Sequence, residues 1–240
     1  IVDHFTYVIA GDGCLMEGIS HEAVSLAGHL RLSKLIVLWD DNSICTDGPT
    51  AKTVRDNQAT RFSASGWQVL SCDGHDPEAI AVAIADAKSS NQPSFIACKT
   101  VIGYGAPNKE GTASTHGSPL GEDEIAGARK KLGWDHEPFE VPEDILTAWR
   151  IIGARGIGRR DAWEGRLCGL DAADKANFKR ANRGELPDGW LKSLNEHKAK
   201  CAKKQPKWAT RVASGKVLGV LTESIAELIG GSADLTGSVN

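Results

Sequence analysis

The sequence lacks the features that would indicate several common classes of protein. Its 240 residues carry a formal net charge of -3, which points to neither a nucleic-acid nor a membrane partner. Its six cysteines are scattered, without a CxxC pair or the spacing of a metal site. No apolar run approaches the ~20 residues that a membrane helix requires. Because no signal-peptide pattern is evident either, we expect reduced thiols and a cytoplasmic protein.

What the sequence does contain is typical of a globular α/β protein. Hydrophobic residues make up 41% of it, which allows a sizeable core, and its length allows one or two domains. Near its beginning, Gly11-Asp12-Gly13 ends an apolar run that reads as a strand. Residues 15–32 are mostly helical in composition, and residues 34–39 (KLIVLW) are typical of a second buried strand.

This order of elements predicts a ligand site. A strand, a crossover helix and a parallel strand bring both carboxyl ends to one edge of the sheet, where open α/β sheets bind ligands. Asp12 follows the first strand and Asn42 the second, and such oxygen ligands suit Mg²⁺ held beside a phosphate. Gly11 and Gly13 would let backbone N–H groups approach a diphosphate. Taken alone, a GDG tripeptide is more often a tight turn, and it is Asn42 that favours the metal site.

Further motifs extend this pattern along the chain. They are GDGCLMEG at residues 11–18, DDNSICTDG at 40–48, KTVIGYG at 99–105, THGSPLG at 115–121 and GGSADL at 230–235. In this order, and over almost the whole chain, they resemble the transketolases, which depend on thiamine diphosphate. Asp41-Asn42 departs from the asparagine pair of the general thiamine-diphosphate signature, but Asn42 holds the position of the metal ligand.

The resemblance implies an α/β fold in which a mostly parallel sheet has helices on both faces. This thiamine-diphosphate-binding fold would be incomplete here and followed by a helical linker. We expect residues 1–137 to form the later part of that domain, residues 138–208 the linker, and residues 209–240 the start of a pyrimidine-binding domain. Since transketolases are much longer, we also expect the 240 residues to be part of a longer protein and inactive alone.

The resemblance also assigns a metal site and a cofactor site. Asp12, Asn42 and the backbone carbonyl of Ile44 would hold Mg²⁺, or Ca²⁺ in its place. Gly11 and Gly13 would contact the diphosphate of thiamine diphosphate. We expect the oxygens of the three metal ligands to lie within about 5 Å of one another, near the same end of the sheet.

Two further residues are candidates for catalysis and cofactor binding. Glu17 matches a glutamate in an acidic network that joins the two cofactor sites of a dimer, although it could serve only the dipole of its helix. His116 matches a histidine that reaches cofactor and substrate oxygens, although it could be an exposed loop residue. Ala113 stands where the family often has a second histidine, which leaves one contact of the family open.

The candidates for substrate binding lie late in the chain. Arg211 and Ser238 match positions that bind the phosphate of a sugar phosphate, although an arginine there could equally be a surface charge. Asp234 matches an aspartate near the cofactor and the substrate hydroxyls. Because His116 would also contact substrate, we expect it to share one cleft mouth with Arg211.

The activity implied is transfer of a two-carbon ketol unit from a ketose phosphate to an aldose phosphate by a homodimer of the full-length protein. A glutamate beyond residue 240, supplied by the partner subunit, would activate the aminopyrimidine. Three alternatives stay open. They are a dihydroxyacetone synthase, a partial-length subunit paired with a separate pyrimidine-domain chain, and a non-catalytic protein that keeps the fold.

Composition predicts the remaining elements. Helices are expected at residues 51–65, 78–89, 122–132 and 209–228, with Asp76 capping the second and Pro77 as its first residue. Strands are expected at residues 67–71 and 94–100, and residues 230–234 are expected to open a new sheet. Residues 101–121 form a loop of a length that is usually functional or disordered.

Overall fold

The computed structural model describes residues 1–232 and 234–239. The chain divides into two compact units, one formed by Val2–Leu146 and the other by Ile1 together with the residues from Thr147 onward. The domain boundaries that the sequence predicts after residues 137 and 208 stay predictions.

The first unit is built on a parallel sheet. Its strands are β1 (Thr6–Gly11), β2 (Leu35–Asp41), β5 (Gln68–Asp73) and β6 (Ser94–Lys99), which lie in the order β1-β2-β6-β5. A separate antiparallel ribbon follows β2 and consists of β3 (Ile44–Cys45) and β4 (Gly48–Pro49). The predicted strand, crossover helix and parallel strand around Asp12 are confirmed.

Five α-helices of this unit connect the strands or follow them. They are α1 (Asp12–Met16), α2 (Gly18–His29), α3 (Gln58–Ala64), α4 (Pro77–Ser89) and α5 (Glu122–Leu132). Two 3-10 turns, Thr50–Lys52 and Ala113–Thr115, lie in the longer connections. Asp76 caps α4 as predicted, because its Oδ1 accepts hydrogen bonds from the backbone N–H groups of Glu78 and Ala79 at 2.9 and 3.3 Å.

Helices cover both faces of the sheet because the strand side chains alternate between the faces. On one face Val37 and Phe95 pack with Phe62 of α3, and the two phenyl rings stack with centroids 3.8 Å apart. On the other face Ile36 and Ile96 pack against α4. Phe95, Ile36 and Ile96 are completely buried, so the core lies on either side of the two central strands. The predicted fold class is thereby confirmed.

Two predicted elements differ in the structure. The helix expected over residues 51–65 begins only at Gln58, because the Asn57 side chain accepts a hydrogen bond from Thr60 N at 2.8 Å and caps the helix there. Residues 230–232 and 234, the described part of the segment expected to open a sheet, form no strand. A strand needs a neighbour for its backbone groups, and the described residues from Thr210 onward are helical or irregular.

The second unit is helical. Its elements are α6 (Glu143–Cys168), which begins in the first unit, and α7 (Ala172–Asn182), α8 (Trp190–Lys204), α9 (Thr210–Ser224) and α10 (Thr236–Val239). Most of their side chains are exposed. The glycine-rich residues 153–158 lie within α6 without interrupting it. Among the residues that the structure describes, no helix is both long and apolar enough to cross a membrane.

Candidate functional site

The carboxyl edge of the sheet opens into a pocket of about 480 Å³. β1 and β2 are neighbours in parallel register, with Gly11 opposite Asp40, so the residues that follow the two strands meet at one place. The pocket, called here the edge pocket, is lined by Gly11, Asp12, Gly13, Cys14, Asp40, Asn42, Ile44, Cys45, Thr46, Ile102, Thr115, His116 and Gly117. Its volume is in the range of small-molecule sites.

Asp12 is the most unusual group in the edge pocket. It is 9% exposed, and its Oδ2 has no hydrogen-bond partner among the residues that the structure describes. Burial raises the pKa of this carboxyl above its usual value, and the charge of Asp41 raises it further, while the backbone N–H of Ser43 and the indole N–H of Trp39 act in the opposite direction. A buried carboxylate oxygen without a partner is costly to folding, and a bound cation would remove that cost.

Asn42 is held by a chain of hydrogen bonds at the end of β2. Its Oδ1 accepts from the backbone N–H of Ile44 at 2.9 Å, and its Nδ2 donates to Oδ2 of Asp40 at 3.2 Å. The other carboxylate oxygen of Asp40 accepts a hydrogen bond from the hydroxyl of Thr100, which follows β6. Thr100, Asp40 and Asn42 therefore form a relay across two neighbouring strand ends, and the relay fixes which way the Asn42 amide points.

The turn between Asn42 and Ile44 has a strained backbone. Ser43 has a φ of 63°, in the left-handed region that residues with a Cβ seldom adopt. Lys99, the last residue of β6, contacts this turn through its Nζ, which donates to Ser43 Oγ at 3.1 Å and to Asp41 Oδ1 at 3.3 Å. The turn directs the chain so that Ile44 also lines the edge pocket.

His116 reaches the same pocket from the long loop after β6. It follows the 3-10 turn Ala113–Thr115, its ring is exposed, and its Nδ1 lies 3.4 Å from Oγ1 of Thr46. Thr46 lies between the two strands of the β3–β4 ribbon, so two distant segments face each other here. An exposed histidine that lines a pocket can donate a hydrogen bond or transfer a proton near neutral pH.

The donor set of the edge pocket fits a hard divalent cation. It offers the free carboxylate oxygen of Asp12, together with the amide of Asn42 and the carbonyl of Ile44 that the sequence predicts as ligands. Nowhere in the described residues do three His, Cys, Asp or Glu side chains cluster as a metal site. A Cβ on Gly11 or Gly13 would meet no atom within 4 Å in the described part of the chain, so the space beside both glycines is open.

The other predicted site residues lie outside the edge pocket. Glu17 is exposed at the break between α1 and α2, where its backbone carbonyl accepts from Ser20 N at 3.0 Å. Arg211, Asp234 and Ser238 belong to the second unit and are exposed there. The roles of these four residues, and the approach of Arg211 to His116, stay predictions.

Sequence reasoning missed Asp40 and Thr100. Both are half-buried, and neither stands at a position to which the motifs assigned a role. Their contact joins residues 60 positions apart and depends on β6 lying beside β2. The available signal was the polar run at the end of β2, where Asp40 precedes Asn42 by two positions.

Comparisons with known proteins identify relatives that span the whole chain. The family model described as "Transketolase, thiamine diphosphate binding domain" matches residues 1–187. A transketolase of Cereibacter sphaeroides is 54% identical, in a match that covers 99% of this chain and 36% of that protein. A transketolase of Sinorhizobium medicae is 50% identical, covering 99% of this chain and 34% of that protein.

Solved structures give the same result. The transketolase from Leishmania mexicana matches with a TM-score of 0.87 and 39% identity over 99% of this chain and 35% of its own. A transketolase from Pichia stipitis in complex with sedoheptulose 7-phosphate matches with a TM-score of 0.86 and 36% identity over 99% of this chain and 35% of its own. The chain thus spans about a third of the length of the relatives that it matches.

Proposed function

Because the chain belongs to the transketolase family, we propose that its edge pocket binds the diphosphate of thiamine diphosphate through Mg²⁺. We further propose that the natural full-length protein transfers two-carbon ketol units from ketose phosphates to aldose phosphates. The observation that carries the proposal is the convergence of Asp12, Asn42, Ile44 and His116 on one pocket, together with a buried oxygen of the Asp12 carboxylate that has no partner in the described part of the chain.

Asp12, Asn42 and the carbonyl of Ile44 would hold the cation. Asp12 supplies the negative charge, and it must be deprotonated to do so. The relay from Thr100 through Asp40 keeps the Asn42 amide in one orientation, as hydrogen-bonded neighbours commonly do for metal ligands. Gly11 and Gly13 leave room for phosphate oxygens beside the first turn of α1.

Thiamine diphosphate, when bound, supplies the carbon nucleophile and the electron sink needed to break a carbon–carbon bond. The chain itself binds and orients. His116 would donate a hydrogen bond to an oxygen of the reacting sugar and move a proton at that oxygen. This role suits its exposed ring at the rim of the pocket, where a substrate can reach it.

The remaining residues would act in the assembled full-length protein. Arg211 and Ser238 would bind the phosphate of the sugar, and Asp234 would lie near the cofactor and the substrate hydroxyls. Glu17 would join the two cofactor sites of a homodimer. The sedoheptulose 7-phosphate held by the Pichia stipitis transketolase supports sugar phosphates as the substrate class, and a cytoplasmic location would suit them.

The test is a ketol-transfer assay on the natural full-length protein, with xylulose 5-phosphate as donor and ribose 5-phosphate as acceptor. We expect turnover that requires both thiamine diphosphate and Mg²⁺ and stops when the metal is removed by a chelator. His116→Ala should lower kcat by about 10²- to 10⁴-fold. His29→Ala, at an exposed position of α2, is the matched control and should leave it unchanged.

Either of two results would contradict the proposal. One is thiamine-diphosphate binding that is unaffected by removal of the metal and by Asp12→Ala. The other is normal cofactor binding without ketol transfer to any aldose phosphate, which would favour a non-catalytic protein. Transfer to formaldehyde in preference to ribose 5-phosphate would identify a dihydroxyacetone synthase instead.

A further inference from the structure

We propose that Cys72 and Cys98 form an oxidisable dithiol site, which a peroxide converts to a disulfide within the chain. The two residues are register partners in β5 and β6, and their Sγ atoms lie 3.8 Å apart. Both side chains point to the face of the sheet that packs against α4. Cys98 is the register partner of Asp40, which lines the edge pocket, but neither cysteine lines that pocket or has a part in the function proposed above.

The backbone at this site is compatible with a disulfide. Neighbouring strands lie ≈ 4.7–4.9 Å apart, so the Cα atoms of register partners fall within the 4.4–6.8 Å that disulfides require. The Sγ atoms must approach by about 1.8 Å to reach the bond length of ≈ 2.05 Å, which rotation of the two side chains can supply. No strand has to change its register for the bond to form.

The two thiols are unequal. Cys72 is half-buried and lines a cavity of about 820 Å³ together with Asp73, His75 and Lys99, so a small oxidant can reach it. Cys98 is 7% exposed, and burial raises the pKa of its thiol to about 12, with the neighbouring Cys72 adding to the effect. Because Cys72 is the more exposed of the two thiols, oxidation begins there, and the Cys98 thiol, 3.8 Å away, serves as the resolving thiol and loses its proton as it attacks.

The reaction balances with hydrogen peroxide as the oxidant. The sulfur of Cys72 attacks one peroxide oxygen, the O–O bond breaks, and the proton of the thiol leaves with the other oxygen as water. The sulfur of Cys98 then attacks the sulfenic acid of Cys72, forming the S–S bond and breaking the S–O bond, and its proton leaves in a second water. Two thiols are oxidised by two electrons in total, and one peroxide is reduced to two waters.

The sequence makes the product easy to identify. Trypsin cleaves after Arg61, Lys88 and Lys99, so Cys72 is released in peptide 62–88 and Cys98 in peptide 89–99, each with a single cysteine. After exposure of the natural full-length protein to hydrogen peroxide, we expect a linked pair of these peptides, which disappears on reduction with dithiothreitol. Failure of the linked pair to form, while exposed Cys14 is oxidised in the same sample, would overturn the proposal.

A trapping experiment tests the order of events. Dimedone, which captures sulfenic acids, should label Cys72 weakly in the unaltered protein and at least tenfold more in Cys98→Ser, because the resolving thiol is gone. Cys98→Ala is a second variant in case a hydroxyl at this buried position impairs folding. Equal labelling of Cys72 with and without the Cys98 thiol would refute the pairing, whereas increased labelling in either variant supports it.

Discussion

The middle of β6 and the carboxyl edge of the same sheet lie only a few residues apart. They differ in how well their side chains are packed and how completely their polar atoms are hydrogen-bonded. Phe95 and Ile96 are fully buried and in contact with helices on both faces. At the edge, Asp12 has a buried oxygen without a partner among the described residues, and Ser43 has a left-handed backbone. The difference indicates that stability resides in the middle of the sheet, while the edge gives up some stability to keep groups available for a ligand.

The largest effect should come from emptying the middle of the sheet. Phe95→Ala removes a ring that stacks on Phe62 and Trp39, and it should lower the free energy of unfolding by about 3–5 kcal/mol. Urea unfolding of the natural full-length protein, followed by circular dichroism, measures it. Val82→Ala, at a position of α4 that is 62% exposed, should change the free energy by less than about 0.5 kcal/mol. Similar losses in both variants would contradict the assignment of the core.

Asp12→Asn should have the opposite profile. Without the carboxylate charge, we expect Mg²⁺-dependent binding of thiamine diphosphate to weaken at least ~100-fold, or about 2.7 kcal/mol. Stability without cofactor should be unchanged or higher, because a buried charge lacking a partner is removed. Isothermal titration calorimetry and urea unfolding separate the two effects, and Asp86→Asn on the exposed side of α4 is the control. If the variant loses stability but still binds thiamine diphosphate, the assignment of Asp12 to the binding site is contradicted.

The raised pKa of Asp12 should make both the stability of the cofactor-free protein and its metal binding depend on pH. A carboxyl whose pKa is higher in the folded than in the unfolded state binds a proton more readily when folded. Its contribution to the stability of the cofactor-free protein is therefore present at low pH and is lost as pH rises through the folded pKa. Mg²⁺ needs the deprotonated form, so metal binding should strengthen over the same rise. Asp12→Asn should abolish both dependences.

Disrupting the hydrogen-bond relay that holds Asn42 should have an effect of intermediate size on metal binding. Asp40→Asn replaces an acceptor-only group with one that can no longer accept from both Thr100 and Asn42, so the Asn42 amide loses its fixed orientation. We expect metal affinity, measured with Mn²⁺ by electron paramagnetic resonance, to fall about 10- to 100-fold. Thr100→Val should weaken it less, and Thr100→Ser should restore the unaltered affinity because the hydroxyl is kept. If serine and valine behave alike, the hydroxyl has no role.

The smallest effect should come from relieving the strained turn. Ser43→Gly removes the Cβ from a residue with a φ of 63°, and it should raise the free energy of unfolding by about 0.5–1 kcal/mol. Ser71→Gly in the extended backbone of β5 is the matched control and should lower it by a similar amount. Differential scanning calorimetry would show shifts of opposite sign, and shifts of the same sign would contradict the strain.

How much the sequence could predict depended on how local the cause was. The bounds of α5 match the predicted residues 122–132, and Asp76 caps α4, because both depend on neighbouring residues. The Asn57 cap is equally local, but the composition of residues 51–65 favours one continuous helix. Whether the described residues 230–232 and 234 form a strand, and whether Thr100 contacts Asp40, depends on which segments lie side by side, and no local pattern encodes that.

The site residues likewise divide into those that local motifs predict and those that depend on strand pairing. Asp12, Asn42, Ile44 and His116 were placed by motifs, and the structure brings them to one pocket. Asp40 and Thr100 were missed, because their importance comes from the pairing of β2 with β6. The strain at Ser43 was also beyond reach, since nothing in its neighbours requires a left-handed residue there.

The strand order β1-β2-β6-β5 has a consequence for how the protein is made. β6 lies between β2 and β5, yet it is the last of the four strands to be synthesised. At ≈ 5–20 residues per second, a ribosome needs several seconds to get from β2 to β6, and during that time β2 and β5 have no central partner. Arrival of β6 completes the core and also delivers Thr100 to Asp40. We therefore expect the binding edge to form in the same late folding step as the centre of the sheet, so that no nascent chain displays one without the other.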